Sequence, residues 1–203
     1  MPDAFSRFDE SPDEEFYRTP RFVAHIDDGA IAAVTQLYRE YFPVGGKILD
    51  LMTSHLSHLP PDVQYAEVVG LGMNRAELER NEQLSSFVVQ NLNSNTVLPF
   101  TDGYFDAAGC CVSVDYLTQP VEILRELARV VRPGGPLVIS FSNRCFPTKA
   151  VRAWLEGDNA AHMQLVQSWL EEAGNWTGIR GQDRSPARGD PLYAVVAAVR
   201  TSL

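Results

Sequence analysis

The chain has 203 residues, with 17 Lys and Arg against 26 Asp and Glu for a net charge of −9, and is 45% hydrophobic and 21% charged. This is the make-up of one globular domain able to bury a core, and it excludes a disordered or low-complexity chain. No Lys/Arg cluster offers a face to nucleic-acid phosphates, and no run of 18 apolar residues or signal-peptide core is present, so no nucleic acid, membrane span or secretion is expected, and the cytoplasm is.

Residues 1–15 hold six acids, Asp3, Asp9, Glu10, Asp13, Glu14 and Glu15, against Arg7 alone. With little to bury they read as a solvated, mobile tail ahead of a single domain over 16–203. Ile31, Val34, Leu37, Tyr38 and Tyr41 predict a helix over Ile31–Tyr41, stopped by Pro43 and Gly45-Gly46. Ile48–Leu51 reads as a buried strand running into a turn, Met52–His58, that contains no glycine. A second strand is expected over Tyr65–Leu71, closed by Gly72. Asn74, with Glu77 three residues on, starts a helix to about Asn81. Strands follow at Phe87–Leu92 and Phe105–Val114, then an amphipathic helix over Val121–Val131 that Pro133-Gly134-Gly135 stops. Leu137–Phe141 is the fifth strand, and His162–Ala173 a helix ending at Gly174. The last strands, about Gly178–Gln182 and Tyr193–Arg200, have no helix between them. Alternating strands and helices predict a mostly parallel sheet covered on both faces, with an antiparallel pair at one edge. Cys110, Cys111 and Cys145 are too few for a disulfide framework, and no spacing of His and Cys predicts a metal site.

Leu98-Pro-Phe-Thr-Asp-Gly-Tyr-Phe-Asp106, followed by Leu124-Arg-Glu-Leu-Ala-Arg-Val-Val-Arg-Pro-Gly-Gly-Pro-Leu-Val-Ile139, resembles the class I methyltransferases that use S-adenosylmethionine (SAM), of the type 11-like kind. The resemblance runs in order from residue 48 to 142. It implies a Rossmann-like fold with a seven-stranded sheet, its last strand antiparallel, and SAM as cofactor. Tyr17–Asp27, Val69–Glu79, Ser113–Leu117 and Ser140–Lys149 further resemble a poorly characterised subgroup whose first motif also lacks glycines.

The resemblance implies a cofactor crevice at the carboxyl ends of the first four strands. Asp50 takes the place of the acid that orients the methionine end of SAM. Met52, Ser54 and Leu56 stand where the family has its three motif glycines. Thr53, Ser54 and Ser57 could grip the methionine group through their hydroxyls, or simply cap a following helix. Gly72 stands where an acid would bind the ribose, beside Met73 and Asn74. Asn91 matches the aspartate that meets the adenine, flanked by Leu92 and Asn93, and Ser113 ends the fourth strand.

Methyl transfer asks the enzyme to align the acceptor and take up a proton. Asp115 is the candidate base and Tyr116 the positioning hydroxyl, although Asp115 could equally cap a helix. Asn143 and Arg144 face the crevice mouth if the fold holds, and Arg144 suits an acidic or phosphorylated acceptor. Segment 16–46 takes the place of a substrate-covering lid, with Tyr17, Arg21 and His25 as its contacts. The expected function is methyl transfer from SAM to a small-molecule acceptor. The alternative is a non-catalytic methyltransferase-fold protein that binds a partner or another small ligand.

Overall fold

The computed structural model describes residues 3–201. In chain order the elements are α1 (Asp13–Phe16), α2 (Asp28–Tyr41), β1 (Lys47–Leu51), β2 (Glu67–Gly72), α3 (Arg75–Glu79), β3 (Ser86–Val89), β4 (Ala107–Cys111), a 3-10 turn (Val114–Tyr116), α4 (Pro120–Val130), β5 (Pro136–Phe141), α5 (Arg152–Leu155), α6 (Asn159–Ala173), β6 (Trp176–Asp183) and β7 (Tyr193–Val199).

The strands form one sheet in the order β3-β2-β1-β4-β5-β7-β6. The first five run parallel. β7 is antiparallel to both β5 and β6, so the sheet is mixed and ends in an antiparallel hairpin. Successive residues of each central strand point to opposite faces. Leu49 and Leu51 join a core with Leu124 and Leu127 of α4 and Val166 and Trp169 of α6. Ile48 joins a second core with Val34, Leu37 and Tyr38 of α2. All of these side chains other than Trp169 are at most 2% exposed, and truncating one such Leu to Ala costs about 2–5 kcal/mol. No helix among the described residues is long and apolar enough to cross a membrane.

Two expectations need correction. The chain between β1 and β2, residues 52–66, contains no helix. Pro60 and Pro61 lie at its centre, where neither can donate an N–H to a helix. The acidic opening is also not a free tail over its described part; Met1 and Pro2 lie outside the described residues. Lys149, fully buried, holds it: Nζ is 3.3 Å from both Asp9 and Asp13 carboxylates and donates to the Ser11 carbonyl at 2.6 Å. Arg7 bonds Asp13 at 2.7 Å, and backbone bonds tie Ala4, Ser6 and Asp9 to Ala153, Arg152 and Thr148. The acids gain here what the sequence alone did not reveal, a buried cation to neutralise.

Candidate functional site

A cavity of about 280 Å³ lies over the carboxyl ends of the parallel strands. Its floor is built from the residues that follow β1, β2, β3 and β4. Its outer wall comes from segment 13–25 and from the loop after β5. Of the residues expected around a cofactor, Asp50, Met52, Thr53, Ser54, Gly72, Met73, Asn74, Asn91, Leu92, Asn93 and Ser113 all line it. Ser57 does not: it is buried, and its Oγ accepts a 2.8 Å bond from Asn81.

Asp50 is only 4% exposed, and its Oδ2 has no hydrogen-bond partner. Burial pushes its pKa up to about 7, against the opposing pull of the Ser57 and Thr53 hydroxyls. A buried acceptor left open at a cavity floor is costly to the folded chain unless a ligand donor completes it.

The glycine-free turn and Gly72 are one feature. Thr53 N–H donates to the Leu71 carbonyl at 2.9 Å, so the turn stays paired with β2 after β1 has ended. This holds the Thr53 carbonyl against Gly72, where a Cβ would stand far inside the 3.0 Å that real Cβ contacts respect. The turn therefore fills the space that an acid at position 72 would need. Met52 has a left-handed backbone, at φ 57°, at a cost of about 1–2 kcal/mol for a residue with a side chain. His58 and Val112, with φ of 56° and 44°, also line the cavity. Backbone strain of this kind gathers at ligand sites.

The amides of the floor are already bonded by segment 13–18. Asn91 Nδ2 donates to Glu14 at 2.8 Å, Asn93 Nδ2 to Asp13 at 2.9 Å, and Asn74 Nδ2 to the Tyr17 carbonyl at 2.8 Å. Ser54 Oγ donates to Glu77 at 2.7 Å and lies 3.3 Å from His55 Nδ1.

Among the residues expected to act on an acceptor, Tyr17, Arg21, His25, Tyr116 and Arg144 line the cavity, whereas Asn143 is an exposed residue outside it. Asp115 is a correction. It is 2% exposed behind the wall rather than on it. Burial pushes its pKa up to about 8, so it stays largely protonated at neutral pH and is not poised as a base for a cavity ligand. Tyr116 holds a neighbour in place: its hydroxyl accepts the Phe146 N–H at 2.8 Å.

Sequence reasoning missed Glu77 and Phe146, and set His55 and His58 aside. Glu77 read as a capping acid. It is 8% exposed and takes the Arg21 N–H at 2.6 Å and the Ser54 hydroxyl. His25, His55 and His58 all line the cavity. Burial lowers the pKa of His25, with Glu77 opposing, and takes His58 down to about 4. Only the spacing of His55 and His58 within the turn hinted at this.

Residues 50–139 match the methyltransferase domain family. The demethylmenaquinone methyltransferase of Paenarthrobacter aurescens is 27% identical over 67% of this chain and 64% of its own length. Two solved structures share the fold. The S-adenosylmethionine-dependent methyltransferase of Mesorhizobium loti superposes with a TM-score of 0.58 at 16% identity, over 82% of this chain and 97% of its own. The [4+2]-cyclase SpnF superposes at 0.65 with 15% identity, over 93% and 92%. The chain thus spans just under two thirds of that curated relative's length. Over residues 50–139 the chain is similar to methyltransferase domains, and as a whole it shares the fold of the solved S-adenosylmethionine-dependent methyltransferase.

Proposed function

We propose that this chain transfers a methyl group from SAM to a small-molecule acceptor. The observation that carries the proposal is the unpartnered Asp50 oxygen at the floor of a cavity that eleven of the twelve expected cofactor residues line. The residues fit the cofactor in part. Asp50 would hold the methionine ammonium, which also restores its charged form. The Thr53 carbonyl replaces the family's ribose acid with a dipole, so affinity is expected to be lower than a charged acceptor gives. When bound, SAM supplies an electrophilic methyl group on a sulfonium.

The chain's own work is alignment and proton uptake. His25, neutral at pH 7 because burial lowers its pKa, takes over the role of base that Asp115 cannot fill. Tyr17 and Arg21 position the acceptor from the lid side. The second reading, a non-catalytic ligand-binding protein, is favoured by the bonds that segment 13–18 makes to Asn74, Asn91 and Asn93.

Calorimetric titration with SAM and S-adenosylhomocysteine separates the two readings. Binding that Asp50→Asn abolishes supports the first. No heat from either ligand up to millimolar concentration would sink it.

A further inference from the structure

We infer that the outer half of the cavity binds a ligand with an anionic head group on an apolar body, a carboxylate or a phosphate monoester of an alkyl or aryl group. The inference names the acceptor class of the proposed methyl transfer and rests on that reading for the word acceptor alone.

The chain carries a net charge of −9, yet this wall presents two cations, Arg21 and Arg144. The carboxylates beside them are already taken. Glu77 accepts the Arg21 backbone N–H and the Ser54 hydroxyl. Asp13 accepts from Arg7, Lys149 and Asn93. Arg21 makes no ion pair among the described residues. Its guanidinium lies 4.5 Å from the Phe16 ring centroid and 5.3 Å from that of Phe146. Its bonds go to the Phe16 carbonyl at 2.9 Å and the Thr19 carbonyl at 3.5 Å.

A guanidinium has five N–H donors in a planar fork that suits carboxylate and phosphate oxygens. Arg21 therefore retains donors and a half-buried positive charge that no ion pair among the described residues neutralises, and buried charges are normally paired. Arg144 spends its Nε on Asp190 at 2.9 Å and keeps its amino N–H groups. The mouth of the same cavity is apolar: Val23 is 57% and Leu56 44% exposed. Phe22, 41% exposed, sits edge-on to His55 at 5.7 Å. Large apolar side chains left in solvent around a polar interior mark the path of an apolar ligand body.

The test is calorimetry of the full chain, with and without saturating S-adenosylhomocysteine, using octanoate, octyl phosphate, 1-octanol and acetate. Octanoate or octyl phosphate should bind at least about tenfold tighter than octanol, and octanoate tighter than acetate. The stronger of the two anions identifies the head group. Arg21→Gln with Arg144→Gln should abolish the preference over octanol and leave S-adenosylhomocysteine affinity within about twofold. Arg144→Gln alone changes a residue whose side chain is 63% exposed and should by itself weaken the preference for the anions over octanol, with circular dichroism confirming the fold of each variant. Equal affinity for octanoate and octanol would overturn the inference. So would a tenfold loss of S-adenosylhomocysteine affinity in Arg21→Gln, which would assign Arg21 to the cofactor's own carboxylate. Octanoate binding without any S-adenosylhomocysteine binding would sustain the anion site while the cofactor reading falls.

Discussion

Replacing Gly72 with alanine adds one methyl group where the Thr53 carbonyl already stands. The carbonyl cannot retreat freely, because the Thr53 N–H is bonded to the Leu71 carbonyl at 2.9 Å. Overpacking of this kind costs about 1–3 kcal/mol, and loss of the backbone bond adds about 0.5–1.5 kcal/mol. Gly72→Ala should therefore lose about 2–4 kcal/mol of stability, a fall in Tm of roughly 5–15 °C for a domain of this size. Gly178→Ala is the control. Its φ is 63°, but nothing lies within 4 Å of its would-be Cβ, so it should lose only the roughly 1–2 kcal/mol of left-handed strain. Urea unfolding followed by tryptophan fluorescence measures both. Gly72→Asp, which restores the family's ribose acid in sequence, should be at least as unstable and should bind S-adenosylhomocysteine no better than the native chain. If Gly72→Ala unfolds within about 0.5 kcal/mol of the native chain, the coupling of the turn to position 72 is wrong.

Lys149→Met removes the buried cation that Asp9 and Asp13 share, leaving Asp13 with Arg7 as its one ion pair among the described residues, and should cost up to about 3 kcal/mol; adding Asp13→Asn should recover part of that loss in the same unfolding assay. Asp115 has a folded pKa of about 8, above its ordinary 3.8, so the folded state binds more protons between those values and stability falls as pH rises through that window. Asp115→Asn should flatten that part of the curve, and an unchanged slope would remove Asp115 as its cause. For a reaction with His25 as base, the lowered pKa of its imidazole predicts kcat level from pH 8 down to below 6.5, then falling as the ring protonates. His25→Gln should abolish turnover while sparing S-adenosylhomocysteine binding; equal loss of both would place His25 in the cofactor pocket instead.

The order of strands and helices was readable because it rests on local signals. Apolar periodicity marked α2, α4 and α6, and Pro133-Gly134-Gly135 marked the stop before β5. The cavity lining was legible wherever a residue's position follows from its place after a strand, as with Asp50, Met73, Asn91 and Leu92. It failed where the role depends on contact with a distant segment. Asp115 and Ser113 are two residues apart, yet the 3-10 turn over Val114–Tyr116 sends one behind the wall and leaves the other on it. Asn74, Asn91 and Asn93 looked like free ligand amides. Their partners lie 57, 77 and 80 residues away, in a segment whose composition alone suggested no fixed place.

The missing glycines and the missing ribose acid look in the sequence like separate losses from one motif. In the folded chain the first makes the second necessary. Without a helix after β1, the turn stays bonded to β2 through Thr53, and only a residue without a side chain fits opposite it. Met52 meanwhile pays the backbone cost that glycine would have spared. A turn that merely decayed from the family pattern would be expected to relax such strain. Here Met52, His58 and Val112 all retain it around one cavity, whose floor still presents an unpartnered carboxylate oxygen. Strain and an open buried acceptor both lower stability, and a bound cation at Asp50 would offset the second. On the proposed function, this arrangement predicts that S-adenosylhomocysteine raises Tm in the native chain and not in Asp50→Asn. An equal rise in both would show that the ligand is held by other residues.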